Sequence, residues 1–286
     1  MIGPDLVGLE LGPVEHRWSE RDAILYALGI GARHPRDLEL LYERASPIGP
    51  RVAPTFALTA CTLMLGPLVD ALSIDLRHLL HAGQGLEIHR VPPARGECLV
   101  QRRVVGVSDK GRAAIVECED LVTDAYGTLA SGRSQWWIEG AGGFGGARGA
   151  GATDAALVLP DRPADFQASS TTSSEQAALY RLSGDLNPVH VDPQFARAAG
   201  QPRAFLHGLC TFGWLARELD RAAGPARRIE SLVARFTAPV FPGDELLVEA
   251  WWEGQSAIAA VHSGRSLVLG PASATFAERS DAGSAT

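Results

Sequence analysis

The 286-residue chain carries 26 Lys+Arg against 33 Asp+Glu, a formal net charge of −7, and is 46% hydrophobic and 21% charged. This composition builds a sizeable core in one large or two ordinary domains and excludes a disordered chain. The acidic balance, with Lys110 as the only lysine and no arginine cluster, excludes an electrostatic nucleic-acid surface, and no stretch approaches the ~18 apolar residues of a membrane span.

In chain order, Met1–Trp18 lacks a basic segment followed by an apolar one, and the final Ser284-Ala285-Thr286 does not match a peroxisomal address, so a cytoplasmic location is expected. An apolar helix is predicted from about Thr55 to Leu72, with Met64, Leu65, Leu68 and Leu72 on one side. Alternating strands follow: one entering the Pro/Gly turn of Leu86–Glu97, then Cys98–Val107, Ala113–Thr123 and Gly132–Ile138. Gly140–Thr153, GAGGFGGARGAGAT, is too rich in glycine for a helix or packed strand and reads as a flexible linker or long loop.

Beyond it the pattern returns. A helix is predicted over about Phe205–Leu219, with Leu209, Phe212, Ala216 and Leu219 at helical spacing, followed by strands at Ala234–Glu245, Leu246–Gly254, Ser256–His262 and Ser266–Phe276. A shift of 147 residues places Pro92 on Pro239, Gly96 on Gly243 and Glu97 on Asp244. The chain therefore reads as a duplication: residues 1–139, a linker at 140–153, and 154–286. A helix followed by antiparallel strands implies an α+β unit whose sheet wraps the helix, and two such units can pair through their sheets. Cys61, Cys98, Cys118 and Cys210 form no C-x-x-C pair and are expected to be reduced and mostly buried.

The run Tyr180–Gly208, YRLSGDLNPVHVDPQFARAAGQPRAFLHG, holds the densest set of chemical residues. Asp192-Pro193 is an N-cap followed by an N1 proline, opening a short helix to about Ala199, so Asp192 is structural. Asp185, Asn187 and His190 fall within six residues on a proline-broken stretch, where a turn can bring carboxylate and imidazole to a shared water. Gly208 opens the second apolar helix, and an unobstructed N–H at a helix N-terminus suits a developing oxyanion. Carboxylate, imidazole and oxyanion donor together describe proton transfer beside an activated carbonyl. His207 reads as a packing or hydrogen-bonding residue, while Glu230, His78, His81 and His89 have no partner identifiable from the sequence. No His/Cys/carboxylate set has metal-ligand spacing, so no metal is expected.

The same run, with Asp192-Pro193, Ala199-Gly200 and Leu206-His207-Gly208-Leu209-Cys210, resembles the hydratase 2 motif of the MaoC-like, (R)-specific enoyl-CoA hydratases. Tyr26–Gly31, Leu79–Gln84, Gly142–Gly146 and Phe241-Pro242-Gly243 resemble the two-domain members. The resemblance implies a double hot dog whose second half is catalytic and whose degenerate first half, lacking an Asp-x-Asn-Pro-x-His, accommodates the acyl chain. It also implies Asp185 and His190 as the catalytic pair, Asn187 as an orienting polar group and Gly208 as the oxyanion N–H. The implied reaction adds water to a trans-2-enoyl-CoA. Coenzyme A would enter only as part of the acyl-CoA substrate, with no separate cofactor, its phosphates meeting rim arginines for which Arg203 and Arg235 are candidates. An exposed sheet edge makes a homodimer the expected assembly. Three rivals share the motif region: a (3R)-hydroxyacyl carrier-protein dehydratase, a thioesterase, and a non-catalytic acyl-thioester binding subunit.

Overall fold

The computed structural model describes residues 2–147 and 157–279. Ten strands are found among them: β1 (Glu10–Trp18), β2 (Leu79–Ile88), β3 (Gly96–Asp109), β4 (Ala113–Asp124), β5 (Gly127–Glu139), β6 (Phe166–Thr171), β7 (Arg227–Arg235), β8 (Glu245–Glu253), β9 (Ser256–Ser263) and β10 (Ser266–Glu278). They form one antiparallel sheet in the order β1-β3-β4-β5-β2-β7-β10-β9-β8-β6. Read inward from either edge, each half gives the same succession: its first, third, fourth, fifth and second strand. The topology repeats, as the 147-residue shift implies. The halves join where β2 pairs with β7, Gly83–Glu87 against Ser231–Arg235. This is the α+β double hot dog.

Alternation explains the strands. Along β3, Cys98, Val100, Arg102 and Val104 turn inward, and along β8, Leu246, Val248 and Ala250 do so. The helices are α1 (Glu20–Gly29), α2 (Leu38–Leu41), α3 (Leu58–Thr62), α4 (Leu65–Leu72), α5 (Gln176–Tyr180), α6 (Pro193–Ala198) and α7 (Gly208–Ala223). Every residue of α7 from Leu209 to Asp220 is buried. The predicted continuous helix over Thr55–Leu72 is instead broken into α3 and α4. Pro67 explains the break: it has no N–H for the carbonyl four residues back, Leu63, which is where the helix stops. No helix among the described residues is long and apolar enough to cross a membrane.

Of the glycine-rich run 140–153, residues 140–147 are described and are anchored rather than loose. The Asp109 carboxylate accepts the N–H groups of Gly111 (2.8 Å), Gly143 (2.9 Å) and Gly145 (2.8 Å), which hold its pKa below the ordinary value. Residues 148–153 lie outside the described residues. All four cysteines are free and buried.

Side chains of the second half cap the C-terminal carbonyls of α1. Gln176 Nε2 donates to the carbonyl of Gly29 at 2.6 Å, Cys210 Sγ to the same oxygen at 3.3 Å, and Arg217 Nε to that of Ile30 at 3.2 Å. These carbonyls lack intrahelical partners, so the interface completes the helix. Close approach explains Gly31, where an added Cβ would lie 2.2 Å from the Trp214 ring.

One fully buried ion pair stiffens the first half. Arg102 donates to both carboxylate oxygens of Asp120 at 2.7 Å and from Nη2 to the Cys61 carbonyl at 3.1 Å; the two side chains are 2% and 1% exposed. Removing one partner strands a buried charge. Arg102→Met is expected to destabilise the fold by about 3–5 kcal/mol, and the double variant Arg102→Met/Asp120→Leu to recover most of that in urea unfolding. If the double variant is no more stable than the single, packing rather than the stranded charge limits stability.

Candidate active site

A cavity of about 390 Å³ opens between the halves. From the second half, Asp185, Asn187, His190, Phe205, Gly208 and Phe236 line it; from the first, Leu80, His81, Trp136, Trp137, Arg112 and Glu139. All four residues that the sequence singles out therefore reach one space.

Short-range bonding fixes the turn that carries Asp185 and His190. The Asp185 carboxylate accepts the N–H of Asn187 at 3.1 Å, and Asn187 Oδ1 accepts that of Val189 at 3.1 Å, capping the 3₁₀ turn Pro188–His190. Asn187 thus shapes the turn that carries His190 as well as lining the cavity. Asp192 accepts the N–H groups of Gln194 and Phe195, capping α6 as its sequence context predicts.

His190 Nδ1 lies 2.9 Å from the carbonyl of Phe205. A carbonyl only accepts, so Nδ1 carries the proton and Nε2 keeps its lone pair. Burial lowers the pKa of His190, against the opposing pull of Asp185. Its ring stacks on His207 with centroids 3.7 Å apart and meets Phe205 edge-on at 5.1 Å.

His207 ties the site together. Its Nε2–H donates to the main-chain carbonyl of Asp185 at 3.2 Å, and Tyr180 packs on its other side at 4.9 Å. Burial, then the neighbouring His190, keeps its pKa well below the ordinary value. One carboxylate oxygen of Asp185 and one ring nitrogen each of His190 and His207 lie within 4.8 Å of one another. Sequence spacing did not reveal this three-donor group, because His207 arrives from 17 residues downstream of His190.

Gly208 is the first residue of α7, so its N–H has no intrahelical acceptor. An added Cβ would stand 3.1 Å from the Phe236 ring, so the glycine is dictated by a close aromatic neighbour. Phe236 is held by its N–H donating to the Ala82 carbonyl at 3.0 Å and by edge contact with His81 at 5.0 Å. His81 stacks on Trp136 at 4.3 Å. Burial, reinforced by Arg102, pushes its pKa down to about 3. His81, Trp136, Trp137, Phe236 and Arg112 also line the cavity; the sequence reading found no partner for His81 and passed over the other four, and the likeness of Leu79–Gln84 to the two-domain proteins pointed near them. Arg203 and Arg235, the expected phosphate contacts, do not line the cavity; Arg203 lies over the Phe241 ring at 4.4 Å.

The two halves also match known proteins separately. A family model described as MFE-2 hydratase 2 N-terminal domain matches residues 16–132, and one described as MaoC like domain matches residues 156–269. The 3-hydroxyacyl-thioester dehydratase Y of Mycobacterium tuberculosis is 39% identical over 264 residues, covering 87% of this chain and 87% of that protein. Enoyl-CoA hydratase ChsH3 of the same organism is 37% identical over 266 residues, covering 89% and 91%. The crystal structure of a MaoC-like dehydratase from Phytophthora capsici shares the fold with a TM-score of 0.83 at 26% identity, covering 96% of this chain and 98% of that one. The chain belongs to the MaoC-like hydratase 2 family, and is a hydro-lyase.

Burial of neutral imidazoles makes stability depend on pH. For His81, about 3 in the fold against about 6.5 unfolded, the unfolded chain takes up the proton first as pH falls. Stability therefore declines below pH 6.5 by about 1.4 kcal/mol per pH unit until the folded value is reached. His81→Phe keeps a ring against Trp136 and removes this contribution, so its urea midpoint is expected to fall less steeply between pH 7 and 5. Equal slopes for the two proteins would contradict the assignment.

Proposed function

We propose that this chain hydrates trans-2-enoyl-CoA to (3R)-3-hydroxyacyl-CoA, reversibly, with Asp185 and His190 as the proton-handling pair and the Gly208 N–H on the thioester oxygen. The observation that carries this reading is that a carboxylate, an imidazole whose Nε2 keeps its lone pair and a helix-terminal N–H line one cavity. A carboxylate and an imidazole within 4.8 Å of each other are spanned by one water making two hydrogen bonds of about 2.8 Å.

The tautomer that the Phe205 carbonyl selects supports a proton path. His190 Nε2 has a lone pair and no proton to give, so the first transfer is from water into the Asp185/His190 pair as the water oxygen bonds to Cβ. The electrons of the double bond move toward the thioester carbonyl, whose oxygen gains charge opposite the Gly208 N–H. The pair then returns one proton to Cα on the face from which water came, which gives syn addition. The water's hydroxyl ends on Cβ and its proton on Cα, and the pair finishes as it began. The division of labour between the two groups is a property of the pair. His207 is assigned to holding: it fixes the Asp185 main chain and the His190 ring.

General acid–base groups contribute about 10²–10⁴-fold in rate. Asp185→Asn and His190→Ala are each expected to lower crotonyl-CoA turnover by at least 10²-fold while the protein stays folded. Loss of enoyl absorbance is the readout, with assay of free thiol to expose hydrolysis. Either variant turning over near the wild-type rate ends the assignment, and thiol release in step with substrate loss would favour a thioesterase.

The oxyanion role has its own test. Gly208→Ala leaves the N–H but drives Phe236 out of position, so kcat is expected to fall by about 10-fold or more, less than the 10²–10³-fold of losing a donor outright. An unchanged kcat removes Gly208 from the site.

A further inference from the structure

We infer that Arg112 of the first half binds the phosphates that terminate the pantetheine arm of the substrate, an inference that rests on the acyl-CoA reading above. Among the described residues lining the cavity, Arg112 is the one with a permanent positive charge. It stands at the solvent end, its side chain 76% exposed, whereas Asp185, His190 and Gly208 lie deeper in the same cavity.

The rim is organised to present this cation. Arg112 occupies the tip of the hairpin between β3 and β4, and that tip is anchored by Asp109, which accepts the N–H groups of Gly111, Gly143 and Gly145. The guanidinium rests 5.8 Å from the centre of the Trp137 ring, and Trp137 Nε1 donates to Glu139 at 2.8 Å. Glu139 is 3.7 Å from Arg112 Nε, an exposed ion pair long enough to yield to a multiply charged oxyanion. A guanidinium fork suits phosphate geometry, and the neighbouring indole offers a flat apolar surface.

Distance supports the same ligand. Phe236, packed against Gly208, bonds to Ala82 within β2; β2 pairs with β5, and β5 with β4. Three strand spacings, with an offset of a few residues along the strands, amount to roughly 15–20 Å. The pantetheine arm has the backbone length of about four extended residues, roughly 14 Å, and the arginine side chain covers the remainder. A thioester oxygen on Gly208 therefore sets the far phosphates at Arg112.

The experiment compares three crotonyl thioesters, of coenzyme A, 4′-phosphopantetheine and pantetheine, on wild type, Arg112→Ala and Arg112→Lys. For Arg112→Ala, KM is expected to rise at least fivefold for the CoA ester and to stay within twofold for the pantetheine ester, with kcat unchanged on both. Arg112→Lys should recover part of the loss. A matching rise with the phosphopantetheine ester places the contact on the first phosphate, whose chemistry a carrier-protein thioester shares; a rise confined to the CoA ester places it on the nucleotide phosphates. KM values that move equally for all three esters, or for none, overturn the proposal. Wild type without turnover on any ester would instead refute the hydratase reading, and calorimetric titration of free CoA into wild type and Arg112→Ala then tests Arg112 independently.

Discussion

Five residue pairs between β2 and β7 hold the site in being. The turn that carries Asp185 and His190 and the N-terminus of α7 belong to the second half, whereas the wall they face, from His81 through Trp136 to Arg112, belongs to the first. The antiparallel ladder from Gly83–Glu87 to Ser231–Arg235 sets these two surfaces in register. Its continuation, the bond from Phe236 N–H to Ala82, places the ring that presses on Gly208. The capping of α1 by Gln176, Cys210 and Arg217 fastens the halves on the opposite side of the helices, so the cavity between them is bounded by two independent seams.

Within that frame the site is kept electrically quiet. His81, His190 and His207 are all held toward the neutral form by burial, and the cavity's fixed charges are the half-buried Asp185 and the rim pair Arg112 and Glu139. A neutral imidazole beside a carboxylate can take a proton from water, which an imidazolium could not. The orientation of His190 follows from a carbonyl fifteen residues away in the chain, at Phe205, so the tautomer of this imidazole is set by main-chain geometry as much as by side-chain identity.

Much of this was legible in the residues. Alternation marked the long strands, the 147-residue shift marked the duplication, and Asp185, Asn187, His190 and Gly208 marked the pair of loops that the fold brings to one cavity. What stayed hidden was hidden for physical reasons. β1 is interrupted by Gly12-Pro13, which breaks its alternation, and proline is tolerated there because β1 is an edge strand. The break between α3 and α4 follows from Pro67, but hydrophobic spacing alone runs straight through it. His81, Trp136 and Phe236 look like ordinary strand residues until the sheet closes, since contacts across a β2–β7 seam link positions some 150 residues apart. The glycine-rich run reads as slack chain because its organiser, Asp109, lies more than thirty residues upstream.

The repeated strand order has an evolutionary consequence. In a dimer of identical hot dogs each substitution is copied into both subunits, so a change that widens one wall alters the catalytic loop that shares its sequence position. Fusion of two copies frees each position to change once. Here the first half has a split helix where the second has an unbroken sixteen-residue one, and it lines the cavity with two indoles and a guanidinium that have no counterpart in the second. Two halves with unlike residues in one chain offer two cavity surfaces that selection can tune separately.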